Sequence, residues 1–323
     1  MDTIQWDIAH IAHVELLTPK LEESVHFFSE IMGLSISEEK GDSVYLRAYD
    51  DYERHTLKLT AHTHADLGHY AWRLRSPEIL ERKAKAIEAT GYGMGWTDGD
   101  LSQGRSYQFR MPSGHLAEIY FETEKYQSGR EDTSALKNTA SKFPGRGMNV
   151  RRLDHINLLA PDVAAFQDYH LNTLGGRLTE TIISDDDRVL GAWFSVNSKS
   201  YDLAVTEDHL SGGRGRFHHV TYAVNSREEV LIAADIALEN GITIETGPHK
   251  HAIQQTFFLY VYEPGGHRVE IANSTARLVL APDYEPVVWS LEERKKGQAW
   301  GLQTVKSFHT RGSPMPEDLQ DNA

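Results

Sequence analysis

Apolar and polar positions alternate with two different periods along this chain. Over Leu21-Glu-Glu-Ser-Val-His-Phe-Phe-Ser-Glu-Ile-Met32 the apolar residues recur at helical spacing and stop at Gly33, which predicts an amphipathic helix. Val163 to Leu174 repeats this pattern, opened by Pro161-Asp162 and closed by Gly175-Gly176. Glu228 to Asn240 repeats it again before Gly241. Runs such as Val44-Tyr-Leu-Arg-Ala-Tyr49 and Phe257-Phe-Leu-Tyr-Val-Tyr262 instead carry the aromatic, β-branched, period-two character of strands, with Pro-Gly turns between them. The repeating unit this predicts is a strand, a helix and three further strands, a βαβββ module, present four times.

The modules pair into a longer repeat. Ile11-Ala-His13-Val-Glu-Leu resembles Leu153-Asp-His155-Ile-Asn-Leu, and Leu67-Gly-His69-Tyr-Ala-Trp resembles Phe217-His-His219-Val-Thr-Tyr. Pro112-Ser-Gly-His-Leu-Ala-Glu118-Ile matches Pro264-Gly-Gly-His-Arg-Val-Glu270-Ile without a gap. Such internal similarity marks a duplicated domain. The expected fold class is α+β: two tandem domains over 8–122 and 151–275, each a pair of modules curled into an open barrel around a funnel. A polar linker is expected at 123–150. The tail, 276–323, is expected to carry a short helix from Ser290 to Gln298 and a polar, disordered end, with Trp289 and Trp300 either closing a pocket as a lid or filling a domain surface.

Composition narrows the partners. The chain has 323 residues, enough for two well-buried cores, and a net charge of −14, which argues against nucleic acid or an anionic membrane as a standing partner. It has no cysteine, which excludes disulfide and thiolate chemistry. The N-terminus lacks the basic start and apolar core of a signal peptide, and no apolar run approaches a membrane span, so a cytoplasmic protein is expected.

The candidate chemistry lies in the repeated histidines. Strand side chains alternate faces, so His155 shares a face with Leu153 and Asn157, and His219 with Phe217 and Thr221. His219 rather than His218 is in register with His155 and His69. Two imidazoles and the Glu270 carboxylate on separate strands could grip one face of a divalent metal and leave the other open, an arrangement that suits non-heme Fe(II) oxygenases. His13, His69 and Glu118 offer the same donors in the first half. In register with Asn157 and Tyr260, however, that half has Glu15 and Gln108, and nothing there matches His251. The second half is therefore expected to hold the active site, and the first a remnant or a secondary metal site.

At these residues the chain resembles the type I extradiol catecholic dioxygenases of the vicinal oxygen chelate superfamily, whose two-domain members include catechol 2,3- and homoprotocatechuate 2,3-dioxygenases. The resemblance runs from about Ile11 to about Trp300 and is most specific over Gly247-Pro-His-Lys-His251, Leu259-Tyr260 and Glu263-Pro-Gly-Gly-His-Arg-Val-Glu270. It implies His155, His219 and Glu270 as ligands of Fe(II), or of Mn(II), and His251 and Tyr260 as hydrogen-bonding partners of the bound catecholate. It puts Asn157 and Trp193 in the oxygen and substrate pocket. It further implies a catechol and dioxygen as reactants, a 2-hydroxymuconic semialdehyde type product, and a homo-oligomer, commonly a tetramer. Two departures stand out. Many relatives carry an acid-base histidine where this chain has Tyr201, an intrinsically poorer base at neutral pH that still donates a hydrogen bond. Relatives that take a carboxylated side chain on the ring carry an arginine where this chain has Thr246, which favours catechol or an alkyl-, aryl- or halo-catechol over a homoprotocatechuate-type substrate. His209, on a Gly-rich loop, reads as a surface histidine.

Two rivals share the fold. A glyoxalase-like enzyme is usually single-domain and brings a fourth protein ligand, and a metal-free small-molecule binding protein has no need of a His-His-Glu set, which this chain carries twice.

Overall fold

The computed structural model describes residues 6–316 apart from 211, 274–276 and 296–297. The strand and helix patterns fold into four βαβββ modules. The first is β1 (Ile8–Thr18), α1 (Leu21–His26), β2 (Ser35–Lys40), β3 (Ser43–Arg47) and β4 (Leu57–Ala61). The second is β5 (Asp66–Leu74), α2 (Pro77–Ala89), β6 (Gly93–Thr97), β7 (Ser106–Arg110) and β8 (Leu116–Tyr120). The third is β9 (Arg152–Ala160), α3 (Val163–Tyr169), β10 (Arg177–Ile183), β11 (Val189–Ser195) and β12 (Leu203–Glu207). The fourth is β13 (Arg216–Ala223), α4 (Arg227–Glu239), β14 (Ile244–Lys250), β15 (Phe257–Tyr262) and β16 (Arg268–Asn273).

Local chemistry sets the helix starts. Asp162 accepts the Ala165 amide at the head of α3, and Ser226 and Glu229 form a reciprocal capping box on α4. The helices predicted over Leu21–Met32 and Val163–Leu174 are each α-helical only in their first part and continue as π turns over Phe27–Ile31 and His170–Leu174. The same deviation recurs in both halves, so it belongs to the repeated unit.

Among the described residues the strands form an 8-stranded sheet ordered β2-β3-β4-β1-β5-β8-β7-β6 and a 9-stranded sheet ordered β14-β15-β16-β13-β9-β12-β11-β10-β17. Each has its two module-opening strands antiparallel at the centre, β1 with β5 and β9 with β13. The last strand, β17 (Val287–Ser290), comes from the tail and pairs in parallel with β10, so part of the expected tail completes the second sheet. The helix expected from Ser290 to Gln298 is α5 (Leu291–Lys295), and a second short tail helix, α6 (Ser307–Thr310), follows. The polar end expected to be disordered is described as far as residue 316, where α6 forms and Arg268 holds the carbonyls of Ser307 and Arg311; only 317–323 lie outside the described residues.

One apolar core runs through both halves, from Leu16, Phe28 and Trp72 to Phe194, Tyr222 and Ile271. Equivalent histidines stitch the seam: His115 Nε2 donates to Arg216 O at 2.9 Å and His267 Nε2 to Leu17 O at 2.8 Å. No described helix is long and apolar enough to cross a membrane.

Candidate metal centre

Three neighbouring strands, β16, β13 and β9, carry Glu270, His219 and His155, and the ladder registers Asn157 with His219 and Thr221 with both His155 and Glu270. A bulge between Phe217 and His219 lets His219 reach the same point as His155. His155 Nε2 lies 3.0 Å and His219 Nε2 3.2 Å from Glu270 Oε2, with all three side chains almost wholly buried.

The surrounding hydrogen bonds fix which nitrogen carries a proton. Asp154 accepts from His155 Nδ1 at 2.8 Å, which leaves Nε2 as the lone pair. His218 donates through Nε2 to Phe308 O at 2.8 Å, so its Nδ1 accepts from His219 Nδ1 at 2.6 Å and His219 Nε2 is also left bare. Thr221 donates its one hydroxyl proton to Glu270 Oε2 at 2.6 Å. His219 Nε2 and Glu270 Oε1 have no hydrogen-bond partner. Buried lone pairs without partners are costly in a metal-free protein and are what a divalent cation would satisfy. The donor set therefore fits Fe(II) or Mn(II). Burial pushes the His219 imidazole down to about 4. Burial would raise the Glu270 carboxyl, but the imidazoles of His155 and His219 beside it hold it well below the usual range.

His155 and His219 open on a cavity of about 80 Å³. Asn157, Tyr201, His251 and Tyr260 line it beside the triad, and the Asn157 amide oxygen has no partner. His251 Nε2 lies 3.1 Å from the Tyr260 hydroxyl and 3.9 Å from Glu270 Oε1, its ring stacked on Phe258. Burial pushes His251 down to about 4 and, with the Glu270 charge, raises the phenols of Tyr201 and Tyr260 well above 10. Tyr201 packs on the His155 ring, 4.2 Å between centroids, with its hydroxyl 3.2 Å from Thr256 Oγ1. Ile182, Trp193, Ile253 and Phe308 give the cavity apolar walls.

Other expected positions fall differently. Thr246 sits opposite Tyr260 in a β14 interrupted by bulges on both sides and does not line the cavity. One of those bulges contains Gly247, whose φ of +102° and close approach to Phe258 O admit only glycine. Trp289 bonds Glu180 at 2.7 Å, Trp300 packs on His249, and neither lines the cavity. The tail borders the cavity instead through Arg294, Thr304, Phe308 and His309. No periodicity marks these four in the sequence. His209 is exposed beside Glu207.

The first half repeats the geometry. His13 Nε2, His69 Nε2 and Glu118 Oε1 lie 3.0, 3.4 and 3.6 Å apart. Parallel pairing aligns Leu57 with Val14 as it aligns Leu203 with Ile156, so His55 takes the place of Tyr201. The sequence comparison does not reveal that correspondence.

Residues 10–119 and 152–271 match the glyoxalase/bleomycin resistance protein/dioxygenase superfamily. The chain belongs to that superfamily. It is 41% identical over 312 residues to a metapyrocatechase of Geobacillus stearothermophilus, covering 96% of this chain and 95% of that one. A manganese-dependent 2,3-dihydroxybiphenyl 1,2-dioxygenase of Geobacillus genomosp. 3 is 38% identical, over 97% of this chain and 99% of its own. The solved homoprotocatechuate 2,3-dioxygenase of Brevibacterium fuscum, in its anaerobic complex with 3,4-dihydroxyphenylacetate, superposes with a TM-score of 0.82 at 28% identity, covering 97% of this chain and 94% of that one. Within the superfamily the chain is an extradiol dioxygenase.

Proposed function

We propose that this extradiol dioxygenase opens the ring of catechol or of an alkyl-, aryl- or halo-substituted catechol beside its diol, with dioxygen, at Fe(II) or Mn(II) held by His155, His219 and Glu270. The product is of the 2-hydroxymuconic semialdehyde type. The observation that carries the reading is the pair of partnerless donors, His219 Nε2 and Glu270 Oε1, beside a cavity that His219, His251 and Tyr260 line. When bound, the ion supplies Lewis acidity towards the diol and electron exchange with dioxygen.

The protein's own groups do the rest. His251 is neutral at pH 7, because burial holds its imidazole at about 4, so it can accept a phenolic proton and return it. Tyr260, protonated throughout, donates a hydrogen bond to developing negative charge. Tyr201 is likewise a donor rather than a base. Trp193, Ile182, Ile253 and Phe308 take the ring substituent and keep water out. Arg294 supports a second reading: its guanidinium borders the cavity and touches His309 Nδ1 at 3.4 Å, chemistry that suits a carboxylated catechol.

The test is oxygen uptake and yellow product with catechol, 2,3-dihydroxybiphenyl and 3,4-dihydroxyphenylacetate. Wild type loaded with Fe(II) or Mn(II) consumes oxygen with at least one of them, whereas Glu270→Ala does not. His251→Phe lowers kcat about 100-fold. Arg294→Leu raises KM only for the carboxylated substrate if the second reading holds. No oxygen uptake with any catechol would overturn the assignment.

A further inference from the structure

We propose that the N-terminal half holds a second divalent transition-metal ion, bound by His13 Nε2, His69 Nε2 and Glu118 Oε1 in a closed site that takes no substrate. Ligand atoms about 2.1 Å from one ion stand roughly 3.0 to 3.4 Å from each other in octahedral or tetrahedral arrangements. The three donors here are 3.0, 3.4 and 3.6 Å apart, close to the spacing around Glu270 in the other half. All three side chains are buried, at 9% exposure or less.

The atoms behind two of the donors, His69 and Glu118, are arranged as metal sites require, while His13 Nδ1 has no partner. Glu15 Oε2 accepts from His69 Nδ1 at 2.9 Å, which fixes the tautomer and turns the Nε2 lone pair towards Glu118. Glu15 is itself held by Thr60 at 2.7 Å and Lys58 at 3.1 Å. Gln103 donates to Glu118 Oε1 at 2.7 Å and Ser106 to Oε2 at 3.0 Å, so the carboxylate cannot swing away. Lys58 pairs with Glu15 at 3.1 Å and with Asp100 at 2.7 Å, so it stands against three carboxylates once Glu118 is included, and a divalent ion brings charge this cluster lacks.

A second observation is independent of the triad. His55 stands 3% exposed with its ring 4.8 Å from that of His13, and neither of its nitrogens has a hydrogen-bond partner. It adds an uncommitted buried imidazole where the other half has the Tyr201 phenol. The rings of His55 and Tyr120 pack on His13, 4.8 and 5.8 Å between centroids. A site closed by protein stabilises the fold and performs no turnover.

The experiment is anaerobic titration of the full-length protein with Co(II), read by d–d absorption and by total bound metal. Wild type is expected to bind two ions per chain. Glu118→Gln should bind one and still cleave catechols, and Glu270→Gln should bind one and cleave none. Glu15→Gln, which keeps the triad, should weaken only the second ion, by roughly 10- to 100-fold, and decides the matter if Glu118→Gln does not fold. One ion in wild type and none in Glu270→Gln, or unaltered binding of both ions in Glu15→Gln, overturns the proposal. Metal is counted directly, so a failure of ring cleavage would leave this result standing.

Discussion

In the C-terminal half Glu270 keeps one carboxylate oxygen without a partner, whereas in the N-terminal half Gln103, Ser106 and Gln108 take up both oxygens of Glu118. The spacing of the two triads is alike because it comes from backbone register, which both sheets inherit from one βαβββ pair. What differs is the residue at a few equivalent positions. Asn157, Tyr201, Thr221 and Tyr260 in one half stand where Glu15, His55, Ala71 and Gln108 stand in the other. A duplicated domain can thus keep its donor geometry while its neighbours either open the site to a ligand or close it with hydrogen bonds.

The largest effect separates the halves outright. Glu270→Gln should lower turnover by about 10³-fold or more, because it removes the one anionic donor of the proposed triad. Glu118→Gln should leave kcat within about twofold. Steady-state oxygen uptake checks both, and equal losses would erase the functional distinction between the triads.

The seam between the halves gives a pH-dependent effect. Burial pushes His115 down to about 4 while its Nε2 donates across to Arg216 O. The unfolded chain takes up this proton first as pH falls, because its histidine titrates near 6.5. The stabilising contribution is therefore complete above pH 6.5 and is lost as pH falls from 6.5 towards 4, amounting to about 3 kcal/mol. Denaturant midpoints at pH 7 and 4.5 should converge for His115→Gln relative to wild type. Parallel pH slopes would show that the seam does not titrate.

Smaller is the effect of Tyr201, where the halves differ by phenol against imidazole. Its phenol is held protonated, so Tyr201→Phe should cost about tenfold or less in kcat, with no shift of the pH profile. A loss nearer 10³-fold would make it an acid-base group.

The modules and the repeated histidines were legible in the sequence because each rests on local periodicity or on a motif repeated in register. His55 was not, because the segment joining β3 to β4 is longer than the one joining β11 to β12, and the correspondence appears only in the strand pairing. Arg294, Phe308 and His309 reach the cavity through long-range contacts, with Arg268 holding the carbonyls of Ser307 and Arg311, and nothing in their own neighbourhood announces it. Bulges on both sides of Thr246 undo the simple alternation that would place its side chain.

The smallest effect concerns how a carboxylate is aimed. Thr221 donates to Glu270 Oε2 at 2.6 Å, and the equivalent Ala71 cannot do the same for Glu118, whose orientation comes from β7 and the loop before it instead. Thr221→Val keeps the shape and removes the donor, so it should cost about 1 kcal/mol in metal-free stability and roughly tenfold in metal affinity. Once saturated with metal, the variant should turn over at nearly the wild-type rate, because its packing against His155 is kept. Competition with a chelator measures the affinity. An unchanged value would mean that the strand register alone aims Glu270, as it must for the triad spacing the two halves share.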